Sequence, residues 1–208
     1  METIATSKLL GNKITLIVGG GRGLGREIAR LFASEGAVVV VADLDLPQAQ
    51  ETLKLIGQES KGAAERLDIS SAADSAALVK RMVERFGRLD VMVNCAAICL
   101  VDPLLEVTPE RWDKVFAVNS RGAFFIMQAA AKAMIPRNFG RIITISTPAS
   151  RMGFPYFVSY AASKAAVDNM TKAAAVAWGQ FGITVNTIVP GRMTGGMIDA
   201  LETDLVRV

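Results

Sequence analysis

The stretch "LIVGGGRGLGREIARLF", residues 16–32, places five glycines among the seven residues 19–25, directly before a segment of helix-like composition. Glycine costs roughly 0.5–1 kcal/mol relative to alanine inside regular structure, so such a cluster marks backbone that turns tightly or approaches another group closely. A helix N-terminus presents free N–H groups and a partial positive charge, which favour an anion. The stretch therefore predicts a phosphate-binding turn between a strand and a helix.

Short apolar runs rich in β-branched residues recur on both sides of this turn. They are "KITLIV" (13–18), "AVVVVA" (37–42), "AAERL" (63–67), "RLDVMVN" (88–94), "RIITIS" (141–146) and "ITVNTIV" (183–189). Most are apolar at nearly every residue rather than at alternate ones, which is typical of strands covered on both faces. The runs therefore predict a parallel sheet.

Helix-length segments separate the runs. The helical pattern covers residues 24–35, 47–60, 72–86, 109–135 and 156–180, so strand and helix alternate along the chain. Alternation of this kind predicts an α/β fold, a doubly wound parallel sheet flanked by helices with right-handed crossovers. With 208 residues, 51% of them hydrophobic, the chain suits one domain spanning residues 1–208.

Charge and hydropathy exclude several function classes. The net charge is only +3 and the basic residues are scattered, which argues against nucleic-acid binding. No run approaches the 18 apolar residues of a membrane span, and the segment 1–13 lacks the layout of a signal peptide. We therefore expect a cytoplasmic protein that binds neither nucleic acid nor membrane.

Histidine is absent and the chain has only two cysteines, Cys95 and Cys99. Two neighbouring cysteines suit neither a disulfide framework nor a four-ligand zinc site, so we expect no metal. The absence of histidine removes Ser-His and Cys-His catalysis. Another side chain must act as the base if the protein is an enzyme.

The spacing of the glycines separates two kinds of phosphate loop. Gly20 and Gly25 have P-loop spacing, but Arg26 and Glu27 follow where a P-loop requires Lys and Ser/Thr, which disfavours an NTPase. Instead, Gly19, Gly23 and Gly25 form a G-x-x-x-G-x-G pattern.

A carboxylate downstream fits a dinucleotide loop. Asp43 ends the second apolar run, 18 residues after Gly25, where it can accept hydrogen bonds from an adenosine ribose diol. The same charge repels a 2′-phosphate, so NAD is favoured over NADP, although Arg22 could partly offset this preference.

A tyrosine and a lysine four residues apart supply a candidate acid/base. Tyr160 and Lys164 fall on one face of a predicted helix. An ammonium beside a phenol favours phenolate, so we expect Lys164 to lower the pKa of Tyr160 below its usual value of about 10.

Taken together, these motifs resemble a known family. The segments "GGGRGLG", "LDIS" (67–70), "VNCAA" (93–97), "AVNSRGAFF" (117–125), "RIITIST" (141–147), "YAASK" (160–164) and "VNTIVPG" (185–191) occur in the order and spacing of the short-chain dehydrogenase/reductases. The resemblance covers residues 8–200 and implies a Rossmann-like sheet and hydride exchange between a nicotinamide cofactor and a secondary alcohol or ketone.

The resemblance also implies roles for individual residues. Tyr160 would be the catalytic acid/base, Lys164 would lower its pKa and bind the nicotinamide ribose, and Asn119 would bend its helix and hold a water of the proton relay. The cofactor-binding residues would be Gly19, Gly21, Arg22, Gly23, Leu24, Gly25, Asp43, Asp68, Ile69, Asn94, Ala96, Tyr160, Lys164, Pro190 and Gly191.

The sequence departs from the family pattern near this site. Thr147 stands thirteen residues before Tyr160, where the family usually has serine, so we assign it the substrate-binding hydroxyl and keep Ser146 as the alternative. Val18 replaces a usual threonine, and Cys95-Ala96-Ala97 replaces Asn-Ala-Gly. Val18 lacks a hydroxyl that would brace the loop, and Ala97 adds a methyl group near the expected cofactor.

The family pattern also continues beyond residue 208, so we expect its last helix and strand to be missing here. The strand 183–189 would then be a sheet edge with apolar faces, and residues 194–208 a partial substrate lid at most. A non-catalytic nucleotide-binding member of the same fold is therefore the alternative function.

The sequence defines the substrate and the oligomeric state less closely than the fold. The segments 42–50 and 104–135 resemble polyol dehydrogenases of the family, whereas Met152, Phe154, Tyr156 and Phe157 predict an apolar substrate mouth. In the family, the helices matching 109–135 and 156–180 form subunit interfaces, so we expect a homodimer or homotetramer.

Overall fold

A computed structural model describes residues 8–59, 61–191 and 193 of the chain. This part contains six parallel strands, whose lengths follow the apolar runs of the sequence. They are β1 (Ile14–Val18), β2 (Val38–Asp43), β3 (Ala63–Arg66), β4 (Val91–Asn94), β5 (Gly140–Ile145) and β6 (Ile183–Ile188). The predicted parallel sheet is confirmed, with boundaries that shift by up to three residues.

The strands lie in the order β3-β2-β1-β4-β5-β6 and every pair is parallel. The chain builds the sheet outward in one direction from β1 to β3, and then returns to the other side of β1 with β4. The crevice at the carboxyl ends of β1 and β4 is therefore the topological switch point, where ligands bind in doubly wound sheets.

The sheet centre supplies the core because both of its faces are covered. All five residues of β1 and all four of β4 are buried. In β6, by contrast, Ile183 and Val185 are buried while Thr184 and Asn186 are exposed. The expectation of two apolar faces on this strand is wrong, since its sequence alternates between apolar and polar residues.

Six α-helices flank the sheet in the described residues. They are α1 (Gly23–Ser34), α2 (Leu46–Leu55), α3 (Ala72–Phe86), α4 (Pro109–Phe116), α5 (Ala123–Met134) and α6 (Val158–Trp178). The second helix ends at residue 55 rather than 60, because the backbone turns back through Gly57 at φ +62°. None of the described helices has the length and apolar content needed to cross a membrane.

The predicted helix 109–135 is not continuous. A π-helical turn, Ala117–Gly122, separates α4 from α5, and a 3₁₀ turn, Ile135–Arg137, follows α5. Single π-turns inside helices are frequent at functional sites. This turn contains Asn119, so the predicted bend in the helix has a definite structural form.

Candidate active site

The glycine-rich loop packs tightly between the ends of β2 and β4. The Gly19 N–H donates to the Ala42 carbonyl at 2.8 Å. At Gly19, φ is +73° and a Cβ would lie 2.6 Å from the Ala96 nitrogen, while a Cβ on Gly25 would lie 2.1 Å from the Gly19 carbonyl oxygen. Larger residues at either position would force the loop away from the sheet.

The N-terminus of α1 keeps its backbone donors available. Its N-cap, Arg22, forms no side-chain hydrogen bond to the helix, and the first turn has no acidic residue. Side chains cap three other helices, through Asp45 on α2, Ser71 on α3 and Thr108 on α4. Free N–H groups beside a glycine loop are a donor set that fits the pyrophosphate of a dinucleotide.

Asp43 faces this loop from the last position of β2. Its Oδ2 accepts from the Gly21 N–H at 2.9 Å and its Oδ1 accepts from the Asp45 N–H at 3.1 Å. Each carboxylate oxygen can accept a further hydrogen bond. The structure therefore places a fixed negative charge next to the loop, where the ribose diol of a bound dinucleotide is expected.

Arg26 is a loop-holding residue that the sequence interpretation missed. Its guanidinium donates to the Gly21 carbonyl oxygen and to side-chain oxygens of α2, namely Thr52 Oγ1 and Gln48 Oε1, each at 3.0 Å. It also forms an ion pair with Glu51 at 3.1 Å. The sequence showed only an arginine in place of the P-loop lysine, and no pattern indicated its α2 partners.

Other predicted cofactor-binding residues follow the carboxyl ends of their strands. Asp68 Oδ1 accepts from the backbone and the hydroxyl of Ser70, and Ile69 is buried. Asn94 ends β4, with its Oδ1 accepting from the Ala96 N–H at 3.1 Å. Leu24 is half-buried in the first turn of α1, and Pro190 and Gly191 follow β6.

Asn119 connects three parts of the site. Its Oδ1 accepts from the Ile98 N–H, and its Nδ2 donates to the Ile98 carbonyl, both at 2.8 Å. The same Nδ2 donates to Ser163 Oγ on α6 at 3.0 Å. The side chain thus ties the π-helical turn to the loop after β4 and to the helix that carries Tyr160.

Lys164 is buried beneath this loop. Its Nζ donates to the carbonyl oxygen of Ile145, the last residue of β5, at 2.8 Å. Burial lowers the pKa of Lys164 to about 8, because an ammonium is poorly solvated there. The Nζ lies 5.9 Å from the centroid of the Tyr160 ring.

The expectation that Lys164 lowers the pKa of Tyr160 is wrong in this structure. Burial, with the nearby Cys99, raises the pKa of Tyr160 to about 12, and a contact with the Thr147 hydroxyl opposes the shift only partly. The sequence placed Tyr160 and Lys164 one turn apart correctly, but it could not show that the half-buried phenol is poorly solvated. Desolvation of the phenolate is the largest cause of the shift, and Lys164, whose Nζ donates to the Ile145 carbonyl, is not among the groups that lower this pKa.

The two candidate hydroxyls differ in their surroundings. Thr147 lies at the start of the 3₁₀ turn Pro148–Ser150, where its Oγ1 accepts from the Ala149 N–H at 3.3 Å and contacts the Tyr160 phenol. Ser146 is buried and its Oγ has no hydrogen-bond partner among the described residues. The geometry favours Thr147 as the hydroxyl beside Tyr160.

Both cysteines are free thiols, and burial raises the pKa of each to about 12. They are therefore neutral near pH 8. In the described part of the chain, no group of three or more His, Cys, Asp or Glu side chains is arranged to hold a metal ion.

The predicted apolar mouth is partly exposed, with Met152 at 60%, Phe154 at 40% and Tyr156 at 37% of their accessible surface. Phe157 is half-buried directly before α6. The predicted lid, residues 194–208, lies outside the described residues.

Comparison with known proteins places the chain in a family. The sequence profile of the short chain dehydrogenases matches residues 13–205. Galactitol 2-dehydrogenase of Agrobacterium fabrum is 41% identical over 187 residues, which are 89% of this chain and 72% of that protein. Sorbitol dehydrogenase of Cereibacter sphaeroides is 38% identical over 194 residues, covering 93% of this chain and 75% of that one.

A solved structure agrees with the fold. The crystal structure of NAD⁺-bound xylitol dehydrogenase superposes with a TM-score of 0.88 at 27% identity, covering 96% of this chain and 77% of that chain. With its glycine loop at the switch point of a parallel sheet, the chain belongs to the short chain dehydrogenase family and is an oxidoreductase that acts on CH–OH groups.

Proposed function

We propose that the protein is an NAD-dependent oxidoreductase that exchanges a hydride between nicotinamide and a secondary alcohol or ketone, with Tyr160 as the acid/base. The observation that carries the proposal is the grouping of Tyr160, Thr147, Lys164 and Asn119 by hydrogen bonds and contacts at the carboxyl ends of β4 and β5. A protein that only binds a nucleotide has no need of this arrangement.

Each of these residues has a distinct part in the proposal. A bound nicotinamide supplies the hydride acceptor or donor. Thr147 donates to the substrate oxygen and orients it toward the phenol. Tyr160 accepts the hydroxyl proton during oxidation and returns it during reduction. Lys164 is the buried cation beside the Tyr160 phenol, and Asn119 holds the backbone of the loop after β4.

Asp43 supports the preference for NAD. Its carboxylate stands beside the loop where a 2′-phosphate of NADP would meet a like charge. Calorimetric titration with NADH and NADPH in parallel should show tighter NADH binding. Asp43→Asn keeps an acceptor for the Gly21 N–H but removes the charge, so it should improve the NADPH to NADH affinity ratio by about tenfold.

Asp45→Asn is the matched control for this titration, because Asp45 caps α2 and faces the Gln48 N–H instead. Its affinity ratio should stay at the wild-type value. Equal binding of NADH and NADPH by the wild type would contradict the proposed cofactor preference.

The substrate class is a secondary alcohol or its ketone. Relatives named for galactitol and sorbitol support a polyol, whereas the exposed Met152 and Phe154 support a less polar substrate. Both kinds of alcohol therefore belong in the activity panel, with NADH formation as the readout.

Tyr160→Phe tests the proposed chemistry. The variant should lose at least about a hundredfold in turnover while its NADH affinity stays close to wild type, since it lacks only the proton-transferring hydroxyl. Tyr156→Phe is the comparison variant: it removes the hydroxyl of the other tyrosine, at the expected substrate mouth, and should alter KM for the alcohol rather than kcat. Undiminished turnover in Tyr160→Phe would exclude Tyr160 as the acid/base.

The alternative is a non-catalytic nucleotide-binding member of the fold. The raised pKa of Tyr160 favours this alternative, because a neutral phenol is a poor base. It predicts NADH binding with no turnover of any alcohol in the panel.

We further propose that the protein acts in the cytoplasm as a homodimer or homotetramer, on soluble alcohols or ketones and without nucleic-acid or membrane partners. Val176 on α6, 85% exposed, supports a subunit interface on that helix. Light scattering should give two or four times the 22.1 kDa chain mass. A monomeric mass at micromolar concentration would contradict this assembly.

A further inference from the structure

Asp168 forms a contact between the catalytic helix and the turn that carries Thr147. It follows Lys164 by one turn on α6, and its Oδ2 lies 2.7 Å from Ser150 Oγ, which donates to it. Ser150 is the last residue of the 3₁₀ turn that begins after Thr147, and its Oγ also lies 2.8 Å from the Thr147 carbonyl oxygen. One hydroxyl thus joins the turn and α6.

The second carboxylate oxygen of Asp168 has a different environment. Oδ1 is buried and has no hydrogen-bond partner among the described residues. A buried carboxylate oxygen without a hydrogen-bond donor is unfavourable, and a nearby positive charge reduces this cost. Lys164 lies one turn away on the same helix, at a separation longer than a direct ion pair, and Asp168 opposes the effect of burial on the pKa of its ammonium.

Few other titratable groups act on the pKa of Lys164. The titratable side chains that influence it are Cys95 and Cys99 from the loop after β4, and Asp168 from α6. Tyr160 lies alongside on the same helix, and β5 contributes the neutral Ile145 carbonyl. The thiols and the phenol have pKa values of about 12, so Asp168 supplies the negative charge near pH 8.

We propose that Asp168 is a positioning residue of the active site, which fastens the Thr147 turn to α6 through Ser150 and acts as the counter-charge of the Lys164 ammonium. The importance of this inference for catalysis rests on the proposed function. The first effect depends on the carboxylate as a hydrogen-bond acceptor, and the second depends on its negative charge. Two substitutions therefore separate them.

Asp168→Asn keeps an acceptor for the Ser150 hydroxyl and removes the charge. Ser150→Ala removes the hydrogen bond and leaves the charge. Asp113→Asn, an exposed carboxylate on α4, serves as the control for a general loss of negative charge. Thermal melting of each full-length variant establishes that it is folded before it is compared.

The charge is tested by titrating Lys164 directly. Lysine labelled with ¹³C at Cε reports each ammonium by NMR, and Lys164→Met assigns the signal. The Lys164 midpoint should fall by about one pH unit in Asp168→Asn and stay within a few tenths of wild type in Ser150→Ala and Asp113→Asn. An unchanged midpoint in Asp168→Asn would overturn the counter-charge.

The fastening of the turn is tested by hydrogen–deuterium exchange of a peptide covering residues 147–152. Exchange should be at least about threefold faster in Ser150→Ala and close to wild type in Asp168→Asn. Unaltered exchange in Ser150→Ala would overturn this half of the proposal. Neither measurement needs turnover, so a failure of the proposed reaction is distinguishable from a failure of this inference.

Discussion

Gly25 illustrates how closely the cofactor loop is packed at the scale of a single residue. Alanine is normally favoured over glycine within a helix, by roughly 1 kcal/mol. At Gly25, in the first turn of α1, the added methyl group would lie 2.1 Å from the Gly19 carbonyl oxygen. The loop would have to move to relieve this overlap.

We therefore expect Gly25→Ala to weaken NADH binding at least about tenfold, measured by calorimetry, because the displaced loop loses its backbone donors. Gly179→Ala is the matched control, since no atom lies within 4 Å of the added Cβ at that position. If the two variants bind NADH equally, the loop packing does not contribute to the site.

The sequence could predict residues whose chemistry depends on local spacing. Gly25 lies in the tight turn before α1 and Asp43 ends β2, positions that neighbours along the chain determine, while the roles of both residues stay predictions. The sequence could not predict the pKa of Tyr160 or the partners of Arg26. Both depend on segments that the fold brings together from far apart in sequence.

At the scale of elements, the π-helical turn between α4 and α5 has the clearest consequence. Asn119 satisfies both backbone groups of Ile98 and also donates to Ser163. The alternation of strands and helices was predictable from hydrophobic periodicity, whereas a bend at Asn119 was expected only from the family resemblance, because residues 109–135 otherwise have a continuous helical pattern. The tertiary hydrogen bonds of Asn119 stabilise the turn once the fold has formed.

Asn119→Ala should lower the free energy of unfolding by about 1–3 kcal/mol, because it leaves the Ile98 N–H and carbonyl without partners in a part-buried loop. Ser120→Ala removes one hydrogen bond, to the Ser163 carbonyl, and should cost about 1 kcal/mol. Urea denaturation measures both values. A cost for Asn119→Ala no greater than that for Ser120→Ala would contradict the linking role of Asn119.

At the scale of the whole molecule, Lys164 makes stability depend on pH. Its pKa is lowered from 10.5 to about 8 in the folded protein. Between these two pH values the unfolded chain holds a proton that the folded chain has released, so stability rises with pH. Below pH 8 both states are protonated, and the folded protein carries the full cost of burying the charge.

Lys164→Met removes this dependence. The stability of the variant relative to wild type should be greatest at pH 7 and decline steadily toward pH 10, as measured by urea denaturation. Cys95 and Cys99 begin to titrate in the unfolded chain near pH 9, and Lys164 acts on the pKa of both thiols, so the trend is read between pH 7 and pH 9. Lys172→Met, at an exposed position of α6, should show no such trend. Parallel pH profiles for Lys164→Met and wild type would contradict the buried ammonium.

The strand order has a consequence for how the chain folds during its synthesis. β1 pairs with β2 through residues 24 apart, such as Thr15 and Val39, but with β4 through residues 76 apart, such as Thr15 and Val91. Short loops close sooner than long ones, and N-terminal segments leave the ribosome first. The phosphate-binding half can therefore assemble before the acid/base helix exists. Until β4 arrives, one edge of β1 stays unpaired and open to other nascent chains, so this interval is when a chaperone would be most useful.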